Sequence, residues 1–361
     1  MHAKRALSAL LAAALAALLP GCGWKTEDPA KARESLQIIA MDTVMTVSAY
    51  GDHSTRAAYA CDEEIRRLDK LLSRTDEKSA VSALNEAGHI EGEAELSALV
   101  RAAQQYAAAT GGAFDVTIAP VASAWGFAES DFRVPSQAEL DALLPYVGTE
   151  HVHVTGDDIA MDGGTQIDLG GIAKGYASDR IADIFLENEA PRGMASLGGN
   201  VLAWGDRPDE TPWRVAVENP QNPGEEPYAA LLLLRDAYAV TSGGYQRYFE
   251  EDGVVYQHIL DPETGYPARS GLTSVTVVAP CDRDRPAGTP GNGTMCDALS
   301  TALFVLGEEA ALDLWRRSDW DFDLLLITED GRVVATEGLV GALEAFENNG
   351  YRYETVSKAA A

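Results

Sequence analysis

The chain has 361 residues, 46% hydrophobic and 23% charged, enough apolar material for one large core or two closely joined ones. Its formal net charge of −28, from 28 basic against 56 acidic residues, leaves too few cations to neutralise a polynucleotide and excludes a nucleic-acid partner. The same charge repels anionic ligands, so a phosphate group bound here calls for a metal ion beside it.

At the N-terminus, Lys4 and Arg5 precede an apolar run, Ala6 to Leu19, that is too short to span a bilayer stably. Leu19-Pro20-Gly21-Cys22 follows. Residues 1–21 read as a secretory signal ending in a lipobox-like site, with Cys22 as the lipidated first residue of the mature chain. The alternative is a plain signal peptide cleaved nearby. Lipidation places the protein on the extracytoplasmic face of a bacterial cell membrane, held there by the lipid. Residues 22–35 are polar and read as a tether, and residues 36–355 as one folded domain.

Thr43 to Tyr50 alternates and is β-branched, which predicts a strand. Helices are predicted over 55–73, with Cys61, Ile65, Leu68 and Leu72 on one face, and over 94–110, stopping at Gly111-Gly112. A third begins near Gly175, with Ala177, Ile181 and Ile184 inward, and a fourth near Asp297, with Leu299, Leu303 and Leu306 on one face. Strands are expected at 151–155, 196–204, 213–218, 230–241, 254–260, 272–279, 323–328 and 332–336. Asp252-Gly253 and Asp330-Gly331 are hairpin turns between apolar runs. Helices and hairpins mix without βαβ alternation, so the fold class is α+β, with mixed or antiparallel sheets and helices packed on their faces. Residues 280–295 are rich in Pro and Gly and read as a surface insertion. Cys61 belongs to the core; Cys281 and Cys296 flank that insertion, and a disulfide between them is one possibility. No His/Cys cluster indicates structural zinc.

Three stretches carry chemistry. In Ile167-Asp168-Leu169-Gly170-Gly171-Ile172-Ala173-Lys174-Gly175, glycines allow close approach, a helix N-terminus offers N–H groups to an anion, and Lys174 adds charge. The same stretch also reads as a glycine-rich turn with a surface lysine. Asp297 and Thr301 are one helical turn apart; they supply two hard oxygen donors suited to Mg²⁺, or else Asp297 is an N-cap and Thr301 bonds back to a carbonyl. His258 precedes an Asp-Pro-Glu-Thr-Gly turn, where it faces a cleft as a general base or is satisfied by the turn itself.

Taken together and in order, MDTVMTVSAYG at 41–51, SAVSALN at 79–85, GGAFDVTIAPVASAWGF at 111–127, IDLGGIAKGYASD at 167–179, SLGGNV at 196–201, VTSGGYQRYF at 240–249, HILDPETGYP at 258–267 and CDALSTALFVLG at 296–307 resemble the ApbE family of FAD:protein FMN transferases. The resemblance covers about Met41 to Gly338. It implies a T-fold-like α+β domain with FAD in a central cleft. The reaction it implies splits the pyrophosphate of FAD, esterifies FMN onto a threonine or serine hydroxyl of an acceptor protein, and releases AMP. Implied acceptors are flavoprotein subunits of membrane redox complexes of the quinone-oxidoreductase or Rnf type.

The resemblance further implies that Mg²⁺ is held by the Asp297 and Thr301 side chains and the Gly171 carbonyl. The nucleotide would contact Met41, Thr75, Ala113, Phe114, Asp115, Asp168, Lys174 and Leu272. Thr75 stands where relatives often place an aromatic, so Phe114 or Tyr245 would take over stacking. His258 is the candidate for the base that takes the hydroxyl proton or for a group that positions it, with Asp261 or a carboxylate at the cleft as the rivals. Two other readings share these residues: FAD hydrolysis to FMN and AMP by water at the same site, and a non-catalytic flavin-binding lipoprotein.

Overall fold

The computed structural model describes residues 32–127, 131–221, 227–346 and 349–359. The signal segment, Cys22 and most of the tether lie outside the described residues. The Arg33–Ala40 strand starts within the stretch read as tether and pairs with Thr43–Tyr50 over its whole length.

A nine-stranded sheet is the centre of the fold. Its strands lie side by side in chain order: Arg33–Ala40, Thr43–Tyr50, Arg192–Leu197, Asn200–Trp204, Ala237–Gly243, Leu272–Pro280, Asp323–Thr328, Arg332–Thr336 and Arg352–Val356. Neighbours are antiparallel except the last pair. Helices Ser54–Leu72, Ala94–Ala109, Ala173–Glu187, Asn292–Leu306 and Glu308–Arg317 contribute to the large core on one face. A three-stranded sheet of Trp213–Glu218, Tyr228–Leu234 and Leu343–Ala345 covers the other. Covering both faces explains the unbroken apolar run Leu324-Leu325-Leu326-Ile327. Leu324 and Leu326 enter the helix-side core, and Leu325 and Ile327 the sheet-side core.

Several expected strands divide. The 196–204 run is two strands, because Gly198 and Gly199 take φ of 61° and 100° and reverse the chain. The 230–241 run breaks at Arg235-Asp236, and its halves, Tyr228–Leu234 and Ala237–Gly243, belong to different sheets. The 254–260 run shortens to Val254–Gln257, which pairs with Tyr248–Glu251 around Asp252-Gly253, as expected for that turn. The fourth helix begins at Asn292, a full turn before Asp297, so Asp297 is not its N-cap.

The 280–295 stretch is not a loose surface insertion. Arg285 bonds the Asp183 carboxylate at 2.7 Å and the Asp179 carbonyl at 2.6 Å. The Gly288 N–H donates to Asp183 at 2.9 Å and the Gly291 N–H to Asp179 at 2.8 Å. Cys281 and Cys296 are both free thiols, so no disulfide closes this segment, and Cys61 is buried in the core.

Candidate active site

A cavity of about 450 Å³ opens where the helix layer meets the ends of the sheet strands, within the size range of small-molecule clefts. Met41, Thr75, Ala113, Phe114, Asp115, Asp168, Gly171, Lys174, His258, Asp297 and Thr301 all line it. Leu272 does not; it is buried at the start of the Leu272–Pro280 strand. Tyr245 is not among the lining residues either, which leaves Phe114 as the ring available from that pair.

Two helices cross at glycines to build the oxygen-rich corner. A Cβ on Gly175 would lie 2.3 Å from the Gly293 carbonyl oxygen and 2.6 Å from Asp297 Cβ, so only glycine admits this approach. The crossing lets the Gly175 N–H donate to Asp297 Oδ2 at 2.8 Å. Asp297 is 3% exposed, and among the described residues no donor is bonded to its Oδ1. Thr301, one turn on, has its Oγ1 3.3 Å from the Ser242 hydroxyl and donates back to the Asp297 carbonyl at 3.4 Å, as the helical alternative expects. Gly171 closes the corner: a Cβ there would sit 3.2 Å from the Phe114 ring and 3.7 Å from Thr301 Oγ1. A buried carboxylate with an oxygen to spare, a hydroxyl and a nearby backbone form a hard donor set that fits Mg²⁺.

Asp168 is engaged by the protein itself. Its Oδ1 accepts the Gly170 N–H at 2.7 Å and its Oδ2 pairs with Arg74 at 3.4 Å. Arg74 also bonds the Ala119 carbonyl and the Ser123 hydroxyl, so Asp168 fixes a guanidinium at the cavity wall. Lys174, in the first turn of its helix, reaches back to the Gly170 carbonyl at 3.1 Å. Met41 and Asp42 form the turn between the first two strands with φ of 47° and 58°, and Asp69 holds the Met41 N–H at 2.9 Å. Positive φ at both central residues is what a two-residue hairpin turn of the primed type requires, and the turn places Met41 and Asp42 at the cavity. Asp115 caps the short turn at Val116–Ile118 by accepting from Thr117, and burial pushes its carboxyl above the usual range.

His258 lines the same cavity. Trp125, fully buried, donates to the Gly265 carbonyl at 2.7 Å and packs on Tyr256 and Tyr266, so it clamps the turn after His258. His258 Nδ1 lies 3.0 Å from the Arg247 carbonyl, which can only accept, so Nδ1 carries the proton. Burial, with help from the charges of Arg247 and Lys174, pushes the imidazole down to about 4. The ring is neutral near pH 7, and Nε2 is left as a bare acceptor.

The profile of the ApbE family matches residues 41–326. The chain belongs to the ApbE family. Among its relatives, the FAD:protein FMN transferase of Treponema pallidum is 32% identical over 332 residues, covering 86% of this chain and 88% of the relative. That of Haemophilus influenzae is 30% identical over 349 residues, covering 91% and 95%. The crystal structure of the ApbE protein of Thermotoga maritima superposes with a TM-score of 0.74 at 33% identity, covering 88% of this chain and 97% of that one. The Pseudomonas stutzeri flavinyl transferase ApbE superposes with a TM-score of 0.73 at 30% identity, covering 86% and 98%. Like these ApbE structures, the chain is an α+β fold of helices and mixed sheets.

Further lining residues carry polar groups that sequence reasoning did not single out: Asp42, Asp69, Arg74, Asn200, Ser242, Gln246 and Arg247. Asn200 lies in the SLGGNV stretch, and Ser242, Gln246 and Arg247 in VTSGGYQRYF, so the family motifs contained the signal. Asp69 and Arg74 lie in no motif; they end a helix whose apolar spacing spoke only of core.

Proposed function

We infer that this ApbE-family chain transfers the FMN part of FAD to a hydroxyl of an acceptor protein, releasing AMP. The observation that carries the reading is one cavity holding Asp297, Thr301, Lys174 and a neutral His258 together. Its relatives are named for this activity, and the match spans most of both chains.

The cavity wall carries three cations, Arg74, Lys174 and Arg247, against five carboxylates, Asp42, Asp69, Asp115, Asp168 and Asp297. That balance does not hold a pyrophosphate unaided, which supports a Mg²⁺ ion at Asp297, Thr301 and the Gly171 carbonyl. Bound there, Mg²⁺ supplies charge neutralisation and in-line orientation of the pyrophosphate. Lys174 and Arg74, on the cavity wall, add positive charge that offsets the negative charge the leaving AMP gains. Phe114 offers a ring face for an aromatic part of the nucleotide. The acceptor oxygen bonds to the riboflavin-side phosphorus while the phosphorus bond to the AMP-side bridging oxygen breaks. His258 Nε2 takes the hydroxyl proton, held in the correct tautomer by the Arg247 carbonyl.

Cys22 is the proposed lipid attachment, placing the enzyme on the extracytoplasmic membrane face beside flavoprotein subunits of redox complexes. Loss of labelled palmitate in Cys22→Ser tests the anchor. For the activity, the purified chain is mixed with FAD, Mg²⁺ and a domain bearing an acceptor threonine. A mass gain of one FMN on that domain supports transfer; Mg²⁺-dependent release of free FMN and AMP alone would make the chain a hydrolase.

A further inference from the structure

Asn200 opens the Asn200–Trp204 strand and lines the cavity, yet it is only 1% exposed. Its Nδ2 is fully buried and, among the described residues, has no hydrogen-bond partner. Directly opposed residues on neighbouring strands share a face of the sheet. Val240, opposite Asn200, packs in the helix-side core, as does Leu202 two residues along. Asn200 therefore points into the helix layer. So does Ser242, two residues beyond Val240, whose hydroxyl is 2.8 Å from Ser300 and 3.3 Å from Thr301. The amide thus shares the helix-side face with Ser242, the neighbour of Thr301 in the Mg²⁺-fitting corner.

A buried amide donor left unpaired is a standing cost to the fold. A ligand that brings an acceptor removes that cost only when bound. We propose that Asn200 is a phosphate-binding residue of this cavity, donating through Nδ2 to a non-bridging pyrophosphate oxygen of the nucleotide. The proposal rests on the flavin-transfer reading and adds to it a neutral donor that complements Lys174. It makes Asn200 a determinant of pyrophosphate recognition.

The test titrates FAD, ADP and riboflavin calorimetrically, with Mg²⁺, into the wild-type chain, Asn200→Leu and Asn200→Asp. Leu keeps the volume and removes the donor; Asp keeps the shape and turns the donor into a carboxylate. Affinity for FAD and ADP is expected to fall about 10- to 100-fold in both variants, the range for a hydrogen bond to a charged group. Riboflavin, without phosphate, is expected to bind all three proteins alike. The ligand-free melting temperature of Asn200→Leu is expected to equal or exceed wild type, because the orphan donor is gone. A purely structural asparagine would instead lower it. Undiminished FAD affinity in both variants, or an equal loss for riboflavin, overturns the proposal; Asn200→Asp decides alone if Asn200→Leu fails to fold. Wild-type protein that binds no FAD would overturn the transferase reading, and this proposal with it.

Discussion

Gly175 donates its backbone N–H to Asp297 Oδ2 at 2.8 Å, and the contact exists because Gly175 and Gly293 let two helices touch backbone to backbone. The helix that presents Lys174 and the helix that presents Thr301 are thereby locked in register, and the acidic corner is set by a helix crossing more than by any loop.

Gly175→Ala is expected to push the helices apart and to disturb Asp297 directly. Overpacking of this kind costs about 1–3 kcal/mol, and Mg²⁺-dependent transfer should fall with it. Gly163→Ala is the control, since a Cβ there meets nothing within 4 Å. Its stability should stay within about 0.5 kcal/mol of wild type. Denaturant melts with parallel rate measurements check both.

Thr301→Val keeps the shape of the corner and removes a hydroxyl donor. The Mg²⁺ concentration for half-maximal rate should rise by at least the roughly 10-fold that loss of even an outer-shell partner brings. Thr301→Ser should recover most of it. Asp297→Ala should abolish the Mg²⁺ response altogether. A metal titration of the transfer rate measures all three, and EDTA should reproduce the Asp297→Ala result in the wild type.

Half-buried His258 and fully buried Asp179 titrate in opposite senses over one pH window. Burial lowers His258 from 6.5 to about 4, so its share of stability is present above pH 6.5 and is lost as pH falls toward 4. Burial raises Asp179 from 3.8 to about 6, so its share is present below pH 3.8 and is lost as pH rises through 6. His258→Gln should therefore lose a rise in stability with pH between 4 and 6.5. Asp179→Asn should lose a fall between 3.8 and 6. It should also weaken the fold by about 1–3 kcal/mol. The Asp179 carboxylate accepts the N–H groups of Gly291, Gly293 and Thr294 and the Thr294 hydroxyl, all at the start of the Asp297 helix. Urea melts at half-unit pH steps, read as differences from wild type, separate the two.

The three cysteines of the domain are free, so reductant should leave its melting temperature unchanged. Alkylation of the native protein should be slow at Cys61 and Cys296, since burial pushes both thiols well above their ordinary range. Mass spectrometry after timed alkylation reads this directly.

The sequence made the helices legible because their apolar faces repeat at helical spacing, as in Cys61, Ile65, Leu68 and Leu72. It hid the strand breaks at Gly198-Gly199 and Arg235-Asp236, because hydrophobicity runs unbroken across turns when both faces of a sheet are covered. The site was legible through motif residues such as Gly171, Lys174, Asp297 and Thr301, which meet only when the intervening chain, residues 175–296, folds between them. Leu272 fell outside because a strand start fixes an apolar residue in the core. Asp69 and Arg74 lie in no motif and carried no local signal, while Asn200 lies in SLGGNV, a motif that does not say which of its residues faces the cavity; the helix end and the strand end aim all three. The pinned 280–295 segment was misread because Pro and Gly content does not reveal that Asp179 and Asp183 hold it.

The most direct test of the account is stoichiometry. Purified chain, FAD and Mg²⁺ are incubated with an acceptor domain, and flavinylated acceptor, AMP and free FMN are quantified together. The account predicts one AMP for each flavinylated acceptor, little free FMN, and neither product in Asp297→Ala. AMP matched by free FMN, with the acceptor unmodified across several threonine-bearing domains, would contradict it.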